Sequence, residues 1–185
     1  MDCCQTPNNN CGCNTGCCEG MEQYQKQGKR TIIIDFLYLD LDVCTRCQGT
    51  DDSLEDAITD VVKILKLTGI EVILNKVHIN SVEKAIQNKF ISSPTIRVNG
   101  RDIQLEVKES QCESCGDLCG DEVDCRVWIY EDKEYTVPPK AMIIDAILRE
   151  VYSNSLVSLD DEKKNNTEFQ LPENLRRFFE AMDKK

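Results

Sequence analysis

The sequence offers 1 His and 1 Trp, and 22 basic residues against 33 acidic ones, for a net charge of −11. Each scarcity excludes something. Too few Lys and Arg argues against a nucleic-acid groove, because phosphate contacts draw their affinity from clustered cations. The longest apolar runs, such as Ile32-Ile33-Ile34, fall far short of the roughly 18 residues that cross a bilayer, so no membrane span is expected. Met1-Asp2-Cys3-Cys4 has neither the basic start nor the apolar stretch of a secretory signal, which leads to an expectation of a cytoplasmic protein. There is no phosphate-cradling glycine loop, hence no nucleotide cofactor is expected, and there is no Ser/His/Asp set or marked carboxylate pair. His78, alone at a strand end, reads most simply as a surface or partly buried imidazole.

What the chain has is cysteine, 12 in all. In a reducing compartment, cysteines in such number point to metal binding or thiol redox chemistry rather than to a disulfide framework. They are clustered: Cys3, Cys4, Cys11, Cys13, Cys17 and Cys18; then Cys44 and Cys47; then Cys112, Cys115, Cys119 and Cys125. With one imidazole available, any metal site must be essentially all thiolate. That favours zinc, copper(I), a thiophilic metalloid such as arsenic, mercury or, less readily, an iron–sulfur cluster.

Residues 1–30 hold Pro7, Asn8-Asn9-Asn10, Gly12, Gly16 and Gly20 but few large apolar side chains. They read as a flexible cysteine-rich tail. From Thr31 the apolar run through Leu39 predicts a strand buried on both faces. A loop carrying Cys44 and Cys47 should follow to Thr50. Ser53 with Asp56 suggests a capping box for a helix ending near Gly69, with Leu54, Ile58, Val61, Val62 and Leu65 inward. A second strand is predicted over Ile70 to Ile79 and a short helix from Ser81 to about Lys89.

Asn99-Gly100 between Ile96-Arg97-Val98 and Arg101 to Val107 is a strong hairpin signal. A second hairpin should turn around Glu131-Asp132-Lys133, joining Arg126–Tyr130 to Glu134–Val137. A helix from Pro138-Pro139 carries the stripe Ile143, Ile144, Ile147, Leu148 and Val151. Residues 153–185 then form a charged linker and an amphipathic helix after Pro172, with Leu175, Phe178, Phe179 and Met182 expected to dock on the domain or, less commonly, on a partner.

This β-α-β-α-β-β-α order, with Cys44-Thr45-Arg46-Cys47 after the first strand and Ser93-Pro94-Thr95 opening the third, resembles the thioredoxin fold over residues 31–152, with a cysteine-rich insertion at 108–125. The strings Cys-Thr-Arg-Cys-Gln-Gly-Thr and Cys-Glu-Ser-Cys-Gly-Asp-Leu-Cys-Gly are also similar to those of an uncharacterised bacterial and archaeal thioredoxin-like family. The resemblance implies an α/β mixed sheet flanked by helices, a cis Pro94 facing the dithiol, Cys44 as attacking thiol and Cys47 as resolving thiol. It departs from thioredoxins in Val43 before the first Cys and Thr45-Arg46 within the motif. If Gln48-Gly49-Thr50 separates the cysteines from the helix, the helix dipole no longer supports a Cys44 thiolate, although Arg46 can replace part of that support.

The pair Cys44/Cys47 thus suits redox cycling, ion ligation or a structural role. The segment Cys112-x2-Cys115-x3-Cys119-x5-Cys125 suits a metal centre, disulfides or unpaired thiols. Seven carboxylates from Glu106 to Cys125 face only Lys108. Nearby anions raise thiol pKa values, whereas a bound metal deprotonates its ligands outright. The tail cysteines suit capture of a soft ion, a redox shuttle or an incidental extension. Together these readings give a thiol–disulfide redox protein with an accessory thiolate metal site, its partner a thiol or disulfide protein. The alternative is a non-enzymatic carrier or sensor of soft metals or metalloids.

Overall fold

The computed structural model describes residues 30–120, 122–153 and 169–184. The tail cysteines Cys3, Cys4, Cys11, Cys13, Cys17 and Cys18, and the charged linker, lie outside these residues.

β1 (Arg30–Tyr38) runs parallel to β2 (Ile70–His78), and β3 (Thr95–Val98) pairs antiparallel with β1 on its other side. β4 (Arg101–Asp102) completes a mixed sheet of order β2-β1-β3-β4. Asn99 and Gly100 have φ of +50° and +81°. Both lie in the left-handed region that a type I′ turn demands. β4 stops well short of the expected Val107 because Asp102 Oδ1 accepts from the Gln104 amide at 3.0 Å, folding the chain away from the ladder.

Two helices cover one face of the sheet. α1 (Thr45–Leu67) sets Leu54, Ala57, Val61 and Leu65 against Ile32, Ile34 and Phe36 of β1. α4 (Lys140–Ser153) adds Ile143, Ile147 and Val151 to the same core. β1 is not buried on both faces as its composition suggests, since Ile33 is 42% exposed. Helices cover the Ile32/Ile34/Phe36 face along its length, whereas the opposite face is closed only toward Leu37.

α1 also begins earlier than expected. Cys44 is its N-cap, and Gln48-Gly49-Thr50 lies inside its first turns. The Ser53 hydroxyl donates to Pro138 O at 2.7 Å instead of capping. Glycine at 49 is dictated by packing: a Cβ there would meet Val137 Cγ2 at 2.6 Å.

A second core lies at the other end of the sheet. α2 (Val82–Gln87), capped by Ser81, contributes Ala85, beside Leu37, Leu39, Ile79 and Phe90. Residues 108–125 form β5 (Lys108–Gln111), α3 (Glu113–Cys119) and the start of β6 (Asp124–Tyr130). β5, β6 and β7 (Lys133–Tyr135) make a small antiparallel sheet. α5 (Glu173–Met182) buries Leu175, Phe178 and Phe179 in this second core. The Asn174 side chain accepts from the Asp124 amide at 3.0 Å and donates to the Asp124 carbonyl at 2.7 Å. The last helix therefore docks on its own chain.

Candidate metal centre

The second core is where the cysteines gather. Cys44 comes from the N-cap of α1, Cys112 from the N-cap of α3, Cys115 from within α3 and Cys125 from β6. Their four sulfurs all lie within 4.8 Å of one another, with Cys115 Sγ and Cys125 Sγ 3.4 Å apart. The insertion and the start of α1 thus build one site. Cys119, spaced in sequence as though it belonged with its neighbours, is buried nearby but is not among these four.

Several contacts fix the arrangement. Cys44 Sγ accepts from the Cys47 amide at 3.4 Å, so the sulfur itself caps α1 and takes the favourable end of the helix dipole. Asp40 Oδ1 accepts from the amides of Val43 and Cys44, shaping the approach to the cap. Arg46 does not reach toward a thiolate. Its guanidinium donates to the carbonyls of Ser110, Gln111 and Cys125 at 3.2, 2.6 and 3.1 Å. It therefore clamps β5 and β6 onto the start of α1, and the 3.0 Å hydrogen bond between Thr45 Oγ1 and Ser114 Oγ adds a second tie.

Cys47 is not one of the four but adjoins Cys44, and its sulfur is also 3.4 Å from Ser93 Oγ. The Ser93–Pro94 bond is cis, as the resemblance implies, and Ser93 Oγ also accepts from the Leu39 amide at 3.2 Å. Five sulfurs are thus contiguous, four in the cluster and Cys47 beneath Cys44. His78 stacks on Tyr38 and bonds to Leu39 O, outside the sulfur group.

Charge is shared unequally among the thiols. Hydrogen bonds from Cys112, then Cys115, Cys125 and Cys47, push Cys44 far below the ordinary thiol value. Cys112 is drawn down to about 7 by Cys115 and Cys125. Hydrogen bonding to Cys112 is the main cause that raises Cys115 and Cys125. Cys47 is raised by its bond to Cys44 and then by burial. Without a cation, negative charge is therefore favoured on Cys44 and Cys112 and disfavoured on Cys115, Cys125 and Cys47.

A single ion removes that imbalance. Tetrahedral thiolate coordination at about 2.3 Å sets sulfur–sulfur edges of about 3.8 Å. The observed grouping brackets that length, and all four cysteines are buried. The residues present can hold a metal ion.

Sequence reasoning did not foresee two neighbours. Arg126, fully buried, forms a bidentate pair with Asp102 at 2.9 and 2.8 Å and lies 5.2 Å over Trp128, while its amide donates to Ser93 O. The signal was an Arg inside an apolar strand run. Ser93 stood out only as part of the Ser93-Pro94-Thr95 motif, not as the Cys47 partner.

A protein family described as a domain of unknown function (DUF2703) matches residues 32–147. The chain belongs to that family. The match spans all four clustered cysteines and Cys47, so the sulfur site lies wholly within the family domain. No curated protein and no solved structure matches the chain.

Proposed function

We propose that this DUF2703 protein binds one soft metal or metalloid ion through Cys44, Cys112, Cys115 and Cys125. The observation that carries the reading is the convergence of four buried sulfurs within 4.8 Å from three separate stretches of chain. An all-thiolate set selects zinc or softer ions over oxygen-loving ones. An iron–sulfur cluster holds its thiolates much farther apart than one ion does, so this compact group suits a mononuclear centre. We further assign Pro94 and Ser93 to backing Cys47, and Arg46 to positioning the insertion.

A second reading, thiol–disulfide exchange by the ion-free protein, is favoured by Cys44 at a helix cap with Cys47 one turn on. Against it, Cys44 is 0% exposed and lies within the sulfur group. A protein disulfide would reach it only if the insertion moved. The cysteine content suits a reducing compartment, and we retain soft-ion capture as the role of the six tail cysteines.

The test uses the full chain with the six tail cysteines changed to Ser, titrated anaerobically with Co²⁺ and Cd²⁺. One equivalent with thiolate charge-transfer absorption is expected. Cys125→Ser should weaken it by more than the roughly 10–100-fold that loss of a supporting group costs, while Cys119→Ser leaves it intact. An unaltered affinity in Cys125→Ser refutes the binding reading. Turnover of a model disulfide that disappears in Cys44→Ser would establish the redox reading instead.

A further inference from the structure

A closed four-sulfur site raises the question of how an ion reaches it or leaves. Cys44, Cys115 and Cys125 are 0% exposed, and Cys112 is 3% exposed. A cavity of about 580 Å³, open to solvent, is lined by Cys112 with Glu113, Gly116, Asp117 and Glu122. None of the other three cluster cysteines lines it. Gly116 leaves that wall without a side chain.

The four sulfurs also differ in what else they hold. Cys44 Sγ caps α1, whereas Cys112 occupies the N-cap of α3 with no side-chain capping bond. Cys115 lies within α3 and Cys125 within β6, both fixed by backbone ladders. Cys112 can therefore leave an ion without undoing a helix cap or breaking a strand.

We infer that Cys112 is the exchange ligand of this centre, and that a neutral low-molecular-weight thiol in the adjoining cavity is its exchange partner; this rests on the ion-binding reading above. The incoming sulfur bonds to the ion, the bond from the ion to Cys112 breaks, and the thiol proton passes to the Cys112 sulfur. Charge and atoms balance with no electron transferred. Reversal of the same step returns the fourth bond to Cys112 and frees the thiol. The carboxylates of Glu113 and Asp117 give the cavity a negative field that admits neutral or cationic species and repels anionic chelators.

The experiment starts from the zinc-loaded full chain with its tail cysteines changed to Ser, treated with substoichiometric N-ethylmaleimide and mapped by peptide mass spectrometry. Among the four ligands, Cys112 should be modified first, with zinc released in step. Modification of Cys44, Cys115 or Cys125 ahead of Cys112 overturns the assignment. In parallel, Glu113→Lys combined with Asp117→Lys should speed zinc extraction by EDTA several-fold at low salt, an effect that high salt removes, and leave extraction by dithiothreitol unchanged. An unchanged EDTA rate overturns the role of the cavity. A chain that retains no zinc at the four sulfurs refutes ion binding itself, a distinct result visible before any modification.

Discussion

A thiol becomes a strong metal ligand only after it loses its proton, and the four clustered cysteines differ in how readily they do so. Cys44 is held as the thiolate by its neighbours, Cys112 is drawn down to about 7, and Cys115 and Cys125 are pushed above the ordinary value of 9.0. Near neutral pH a divalent ion must therefore expel roughly two to three protons. Because protons compete with the ion, affinity falls as pH falls. Titration calorimetry in buffers of different ionisation enthalpy should show this release, with affinity rising steeply from pH 6 to 8; a flat profile would contradict the shared-charge picture. In the ion-free chain the thiols act on stability in opposite directions. The raised Cys115 and Cys125 contribute stability that is present below 9.0 and is lost as pH rises beyond it, whereas the lowered Cys44 and Cys112 contribute stability that is present above 9.0 and is lost as pH falls.

At the scale of elements, the site depends on how α1 begins. Helical glycine is normally about 0.5–1 kcal/mol worse than alanine, yet at position 49 the added methyl would strike a stiff β-branched side chain, Val137, at 2.6 Å. Overpacking of this kind costs about 1–3 kcal/mol. Gly49→Ala should therefore lower the denaturation midpoint rather than raise it, and should broaden the thiolate spectrum by shifting the first turn that carries Cys44. Arg46 acts between elements. Arg46→Ala leaves the Ser110, Gln111 and Cys125 carbonyls without their charged donor, at a cost of about 1–3 kcal/mol. Faster ion loss to a chelator, with stoichiometry unchanged, is the expected outcome by stopped-flow absorption. Lysine, lacking the planar fork, should restore little of it.

The whole molecule has two cores with different dependence on the ion. One, between the β1-β2-β3 sheet and helices α1 and α4, is apolar, has no cysteine among its buried residues and needs no metal. The other joins the cysteines to α2, α3 and α5. An ion there cross-links the start of α1 to the insertion. At 100 times its dissociation constant it contributes about 2.7 kcal/mol, or about 5–10 °C of Tm in a chain of this size. Chelation should thus lower Tm, and hydrogen exchange should rise in 108–125 and 173–182 before it rises in β1 and β2. Uniform exchange across both cores would argue that the insertion is held without the ion.

Much of this fold is written locally. Apolar period placed β1, β2, α2 and α4, and Asn99-Gly100 placed the hairpin, because each signal needs only neighbours in sequence. The start of α1 was hidden, since Gly49 and the charges around it look like loop until Val137 is seen against them. The composition of the sulfur site was hidden more deeply. Spacing groups Cys119 with Cys112, Cys115 and Cys125, but Cys119 stands four residues beyond Cys115 on α3, about 6 Å farther along the axis. Its place is taken by Cys44, brought from a distant helix start by the Arg46 clamp and the pairing of β5 with β6. The sequence alone therefore determined that soft, sulfur-based chemistry was available and which elements would carry it. Only tertiary packing decided which sulfurs meet, because a site assembled from three segments is a property of distances in space that no local period encodes.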